Sequence, residues 1–232
     1  MSDSRKILTV RALVPTAVFV VVAPLLPMII SGDWRWWGAW AYVLATILQF
    51  TISRALAARR NPDLLVERSR SLTAKDTKRW DKILAPILGL SSFVILAVAG
   101  LDHSYRWSLP FSLAVELIAL AGLLLGYVLS SWAFIENRFF SGVVRIQTDR
   151  GHRVVSSGPY RIVRHPGYAG SLVSFIAIPL LLDSLWAFIP TVVLLAAMVI
   201  RTALEDRTLQ AELAGYVDYA RTTRFRLLPG VW

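Results

Sequence analysis

Charged residues along this chain come in groups, separated by long runs that carry almost none. Six such runs cover residues 12–32, 36–53, 83–101, 107–135, 165–182 and 184–200, and Glu116 is the single charged residue inside them. About 18 or more apolar residues suffice to cross the ~30 Å hydrocarbon layer as a helix, a form in which the backbone satisfies its own hydrogen bonds. The pattern therefore predicts an all-α polytopic membrane protein with about six transmembrane helices. The first, about 12–31, contains Pro15, Pro24 and Pro27 and should bend. The last two turn at Asp183-Ser184 and form a short hairpin; with Pro179 inside it, a full crossing and a re-entrant loop both fit. Helix-favouring residues 203–213 then carry the last span beyond the membrane, as far as Gly215.

Two polar segments interrupt the runs. The insert 57–82 opens on Arg59-Arg60-Asn61-Pro62-Asp63, a helix-breaking sequence, and then mixes both signs of charge as an interfacial segment would. The segment 136–164 is different: Arg153 to Ser157 reads as extended, Gly158-Pro159 as a turn, and Pro166 as the first position of the next helix. Gly122 and Gly126 have the spacing that lets membrane helices approach closely. No internal repeat stands out, which predicts a single membrane domain over 1–232. Within it, 1–135 holds the N-terminal spans and the insert 57–82.

Composition agrees with this reading and charge orients it. The 232 residues are 56% hydrophobic and 17% charged, with mean hydropathy +0.56. The net charge of +10 could suggest nucleic acid, but the distribution of Lys and Arg points elsewhere. With the N-terminus in the cytoplasm and six crossings, 23 of the 25 Lys and Arg fall inside, leaving Arg35 and Arg106 outside. That asymmetry is the positive-inside rule, and it predicts a multi-pass integral membrane protein with both termini cytoplasmic. Membrane lipids, not nucleic acids, are the expected partners of this charge. Trp34, Trp36, Trp37, Trp40, Trp107 and Trp186 cluster at the proposed outer ends, as an aromatic belt does. The first run is too long for a signal-peptide core and reads as a retained span.

Candidate chemistry crowds at the cytoplasmic level. The chain has no cysteine, and His103, His152 and His165 are too dispersed to suggest a metal site. No GxGxxG or phosphate-binding loop occurs, so a nucleotide-like cofactor would be held without a Rossmann domain. His165 could simply cap a helix start, and Arg201 with Glu205 could be an i,i+4 ion pair. Tyr216 and Tyr219 could be interfacial anchors. Glu116 is the odd residue, because acids inside spans are rare; it lies near the outer end of its helix, within reach of headgroups.

Two motifs resemble a known family. Val155-Ser156-Ser157-Gly158-Pro159-Tyr160 followed by Arg164-His165-Pro166-Gly167-Tyr168-Ala169-Gly170 looks like the first half of the signature of the isoprenylcysteine carboxyl methyltransferases and the related phospholipid methyltransferases. Glu205-Asp206-x-x-Leu209, with Gly215-Tyr216-x-x-Tyr219 and Pro229, resembles the second half. The resemblance covers 136–232, the methyltransferase-like cofactor-binding region; earlier spans match only as generic membrane helices. It implies a cytoplasmic pocket for S-adenosyl-L-methionine lined by Val155, Gly158, Tyr160, His165, Tyr168 and Glu205, with Arg164 and Asp206 as further members of the two motifs. Arg201 matches an arginine that holds the substrate carboxylate, and Arg201 and Glu205 are the expected catalytic pair. The family's acidic pair is commonly Glu-Glu; here it is Glu205-Asp206, which favours Glu205 as the functional carboxylate.

The implied activity is S-adenosylmethionine-dependent methyl transfer to a lipophilic, lipid or lipidated acceptor, most like carboxyl O-methylation. Phospholipid N-methylation is the alternative. NADPH-dependent sterol reductases carry a similar Arg-His-Pro-x-Tyr element, but the run Gly167-Tyr168-Ala169-Gly170-Ser171 lacks the acid that usually follows it. A transporter or scaffold would explain six spans but not polar residues gathered at one face, since transporters place their sites near the midplane.

Overall fold

The computed structural model describes residues 18–70 and 76–232. The expected start of the first span, with Pro15, and insert residues 71–75 lie outside the described residues. Within them, eight α-helices follow one another: α1 (Ala23–Ser31), α2 (Trp37–Arg60), α3 (Pro62–Arg70), α4 (Asp81–Tyr105), α5 (Leu113–Glu136), α6 (Pro166–Leu181), α7 (Phe188–Glu212) and α8 (Tyr216–Thr222). A π-helical turn, Val18–Val22, leads into α1, and no β-strand occurs among the described residues. The extended reading of 153–157 holds only as irregular backbone, followed by a 3₁₀ turn at Gly158–Arg161.

Four helices, α2, α4, α5 and α7, are long and apolar enough to cross a membrane; the apolar stretches Val20–Ser31 and Pro166–Leu181 are shorter. The protein is thus a multi-pass membrane protein whose last two apolar helices are unequal, 16 and 25 residues. Local chemistry sets the ends. The Asp33 carboxylate accepts the Arg35 N–H at 2.9 Å and turns the chain into α2. Asn61-Pro62 ends α2 and starts α3, with Asn61 donating its side-chain amide to the Ile135 carbonyl at 2.9 Å. Ser112 caps α5, and Pro166 opens α6.

The spans pack as α1 on α4, α4 on α7 and α2 on α5, with α5 against α6 the most extensive contact. That last interface is made by small residues. A Cβ on Gly170 would lie 2.5 Å from the Gly126 carbonyl oxygen and 2.7 Å from the Ser130 nitrogen, so the two backbones nearly touch. Ala177 meets Gly122, and Gly167 lies against Ala133. The small-residue spacing at Gly122 and Gly126 therefore does what it predicts. Ile95, Leu123, Leu181 and Leu194 fill the core between the spans. Leu48, Leu90, Ile118, Leu125, Val128 and Val192 point outward and stay exposed, as a lipid-facing surface requires.

At the end of the bundle opposite the motifs, a polar knot ties the loops. Buried Asp102 accepts from the Ser108 hydroxyl at 2.7 Å and the Ser184 hydroxyl at 2.5 Å, while Asp183 accepts the Phe111 N–H at 2.8 Å. The short α6 thus reaches the same level as the ends of α4 and α5. Five of the six belt tryptophans are exposed there, but Trp36 is buried and stacks on His103 at 3.8 Å. Glu116 sits in the first turn of α5, and its side chain is buried.

Candidate functional site

Because α6 starts level with Ala133, its motif residues begin inside the bundle. By contrast α7 continues from Glu205, opposite Tyr168, for seven more residues to Glu212, roughly 10 Å. The space left between them is closed by 137–165, α3 and α8, and encloses a cavity of about 330 Å³. Two hydrophobic clusters meet at its walls. Leu88, Tyr168 and Met198 belong to the core between the spans; Val154, Val155, Tyr160, Leu209 and Tyr216 belong to a separate cluster outside it.

Seven of the nine residues expected to form the site line this cavity: Val155, Tyr160, Arg164, His165, Tyr168, Arg201 and Glu205. Among the described residues Glu205 is the one carboxylate on the wall, and it accepts the Tyr168 hydroxyl at 2.7 Å. Gly158 and Asp206 stand behind the wall. Gly158 has φ +57°, and a Cβ there would press on Glu136 and Trp132 at 3.1 Å. It shapes the turn that presents Tyr160 to the cavity.

Asp206 is fully buried and accepts from Arg164 Nε at 2.8 Å and Nη2 at 3.0 Å. Arg226 Nε at 2.9 Å, Gln210 Nε2 at 2.8 Å and the Tyr216 hydroxyl at 3.0 Å also donate to it, and His165 Nε2 lies at 3.3 Å. Arg164 then donates to the Thr223 and Arg224 carbonyls at 2.8 and 2.6 Å. Adjacent acids on α7 therefore have opposite situations: Glu205 faces the cavity, and Asp206 binds the C-terminal segment to the start of α6. Burial alone would depress the Arg164 guanidinium, but Asp206 more than offsets it and holds it above its usual range. Burial pushes the Tyr160, Tyr216 and Tyr219 phenols up, with the Asp206 charge adding to the effect at Tyr216, so all three are hydrogen-bond donors at neutral pH.

Arg201 does not pair with Glu205, although the two are one turn apart. Its Nε donates to Asp81 Oδ1 at 2.7 Å, and its Nη2 donates to Asp81 Oδ2 at 3.1 Å and to the Gly142 carbonyl at 2.9 Å. Asp81 also accepts the Val144 N–H at 2.6 Å. This fork fixes the guanidinium plane beside the Tyr168 ring, 5.7 Å from its centroid. His165 likewise makes no capping bond through its side chain.

The charged insert contributes more than its sequence suggested. Arg145, on the cavity wall, is gripped by Glu67 at 3.0 and 2.9 Å, Asp76 at 2.9 Å and Asp149 at 2.9 Å. The hydrogen bonds it donates to Glu67 and Asp149 hold its guanidinium above the usual range. Asp63 takes Arg138 and Arg150 at 3.1 and 2.9 Å, and these contacts hold its carboxyl below the ordinary value. His152, tilted against Phe139, is pushed down to about 4 by burial and by the neighbouring Arg145 and Arg150. Arg68 on the wall and Asp81, which supports Arg201 from behind it, are residues that motif reading missed. The only sign of them was the mixture of charges in 57–82.

Comparison with known proteins agrees with the motifs. Residues 115–214 match the model of the phospholipid methyltransferase family. A probable protein-S-isoprenylcysteine O-methyltransferase of Oryza sativa subsp. indica is 35% identical over 60 residues, covering 25% of this chain and 31% of that protein. Protein-S-isoprenylcysteine O-methyltransferase B of Arabidopsis thaliana is 36% identical over 52 residues, 22% of this chain and 26% of the relative. The matched segment thus spans less than a third of the length of these relatives. The resemblance read from residues 155–170 and 205–219 is borne out at the level of the family.

Proposed function

We propose that this chain is a membrane methyltransferase that uses S-adenosyl-L-methionine and modifies a lipophilic acceptor, by carboxyl O-methylation as in the isoprenylcysteine enzymes. The observation that carries the reading is the position of the cavity, between the hydrocarbon-facing core and a polar cluster built from the two motifs. A water-soluble donor and a lipid-tailed acceptor can meet only at such a boundary. We place that end of the bundle, with both termini, in the cytoplasm, on the strength of the Lys and Arg asymmetry.

The donor set fits the cofactor. Its cations suit Glu205, and its adenine suits the flat walls made by Tyr160, Tyr216, Val155 and Leu209. When bound, S-adenosylmethionine supplies a methyl group activated by a positive sulfur. The chain's own residues do the rest. Tyr168 orients Glu205 by its 2.7 Å hydrogen bond, so the carboxylate is held for a cation before one arrives. Asp81 holds Arg201 through Nε and Nη2, which leaves Nη1 to take an acceptor oxygen. A carboxylate acceptor needs no general base, only alignment and exclusion of water, and no acid–base dyad is required. A phospholipid amine is the second reading, favoured by the family model; there Glu205 would accept the proton the amine loses.

The test is thermal stabilisation of the detergent-purified protein by S-adenosylhomocysteine and by NADPH. A ligand at 100 times its Kd stabilises by about 2.7 kcal/mol. Stabilisation by S-adenosylhomocysteine is the expected result, and stabilisation by NADPH alone would refute the assignment. Labelled methyl transfer into membranes then separates the acceptors: a base-labile product is an ester, a base-stable one an N-methyl amine.

A further inference from the structure

The segment 223–232 runs beside the start of α6. The Arg164 and His165 N–H groups donate to the Phe225 and Arg226 carbonyls, both at 2.9 Å. The Arg226 and Leu227 N–H groups donate to the main-chain oxygen of Trp232 at 2.8 and 3.0 Å, which closes 226–232 into a loop. The buried side of this loop is apolar: Leu227 packs with Val163 and Ala169, flanked by Leu129 of α5 and Leu172 of α6. Leu129 lies seven residues before the end of α5, so the loop sits beside the last two turns of that helix, not beyond them. A helix of 24 residues is about 36 Å long against ~30 Å of hydrocarbon, and its last two turns straddle the boundary with the headgroups.

The outer side of the same unit is apolar too. Ile162, Leu228 and Val231 are 57, 48 and 76% exposed, although each is close in sequence to a residue of the buried side. Trp132, exposed near the end of α5, packs on the Gly158 turn that leads to Ile162, where an interfacial tryptophan belongs. Charge on these segments has one sign. No Asp or Glu occurs in 150–182 or in 219–232. Asp206 holds Arg164 and Arg226, and Asp218 holds Arg221; Arg161 and Arg224 are exposed and pair with no carboxylate among the described residues.

We propose that Ile162, Leu228 and Val231 seat this loop in the bilayer leaflet at the site's end of the bundle, and that Arg161 and Arg224 take the phosphate of an anionic phospholipid there. The surface continues the lipid-facing side of α5, where Leu125 and Val128 are exposed, and its charge complements an anionic headgroup. Its height beside the last turns of a span favours a lipid over an acidic protein. The inference needs only the membrane placement of the spans and stands apart from the methyltransferase reading. Because Asp206 bonds both Arg164 and Arg226, the seated loop and the cavity wall are one unit.

The full chain has no cysteine, so single cysteines can report on the loop directly. Ile162→Cys, Leu228→Cys and Val231→Cys are labelled with a nitroxide in bilayers of phosphatidylcholine and phosphatidylglycerol. Oxygen, which collects in hydrocarbon, should relax all three labels more than a water-soluble nickel chelate does, as at a Leu125→Cys reference. If the nickel chelate dominates at any of them, the seat is wrong and the patch is left to a protein partner. Short-chain phosphatidylglycerol and phosphatidylcholine are then titrated into the protein in detergent, with a fluorophore on Leu228→Cys as the local reporter. One basic residue near an anionic surface corresponds to about 5-fold in affinity, so two predict a preference for phosphatidylglycerol on the order of 20-fold. Arg161→Gln with Arg224→Gln should melt with wild type, bind phosphatidylcholine as before and lose that preference. Arg161→Lys with Arg224→Lys should keep it. An unchanged preference in the double Gln variant would overturn the headgroup assignment.

Discussion

The neighbouring acids on α7 allow a sharp test, because the structure gives one a structural duty and the other a place on the cavity wall. In Asp206→Asn the side chain keeps its shape but loses its charge, and an amide now faces donors. Because the amide still accepts through its one oxygen, Arg164, only 5% exposed at its side chain, would lose one of its two bonds at 2.8 and 3.0 Å. Both Arg164 and Arg226, now bonded at 2.9 Å, would lose the charge that compensates them. Removing one partner of a buried ion pair costs about 3–5 kcal/mol, because the remaining charge stays out of water without compensation. At about 2–4 °C per kcal/mol for a chain of this size, the melting temperature should fall on the order of 10 °C. Intrinsic fluorescence of the nine tryptophans follows the melt in detergent without a dye. Glu205→Gln should melt within about 2 °C of wild type and yet lose all stabilisation by S-adenosylhomocysteine. The reasoning is refuted if Asp206→Asn melts with wild type, and most directly if it does so while losing the ligand response.

Three further predictions follow from geometry described above. His152, held near 4 in the fold against about 6.5 in the unfolded chain, binds fewer protons when folded, so stability falls as pH drops from 6.5 toward 4. His152→Phe should flatten that part of the melting-temperature profile, and parallel profiles would contradict it. Gly170→Ala forces a Cβ to within 2.5 Å of the Gly126 carbonyl and should cost about 1–3 kcal/mol, whereas Gly89→Ala meets nothing within 4 Å and should be neutral or slightly stabilising; equal effects in a thermal melt would count against the close α5–α6 contact. A double-mutant cycle on Asp81→Asn and Arg201→Gln should show strong coupling, and additivity within about 0.5 kcal/mol would mean that Asp81 does not hold Arg201.

What the sequence made legible followed from local pattern. Long uncharged runs located the four long helices, Pro166 marked the start of α6, and the small-residue spacing located the α5 face that meets it. The motif pair brought seven residues to one cavity from segments up to 50 positions apart. What was not legible is pairing over distance. Asp81 finds Arg201 across 120 residues, and Glu67 finds Arg145 across 78, and nothing in a charged side chain encodes its partner. The i,i+4 spacing of Arg201 and Glu205 suggested the wrong partner because fully buried Asp81 offers both of its oxygens to the guanidinium. Asp206 looked like half of an acidic pair for the same reason. Only the folded C-terminal segment shows that it faces away from the cavity.

The glycine contact between α5 and α6 also bears on how the protein responds to its lipid. With backbones nearly touching at Gly126 and Gly170, these two helices cannot slide past each other, so the height of Tyr168 in the bilayer is set by the pair as a unit. Glu205 and Arg201 ride on α7, which touches α6 much less along its length and is joined to the start of α6 mainly by the Asp206–Arg164 pair. A change in hydrocarbon thickness that tilts α7 would load that junction. If α7 tilts in this way, bilayer thickness acts on the site. Acyl chains that tilt α7 would pull Glu205 off Tyr168, and turnover should peak at the chain length that leaves their hydrogen bond intact.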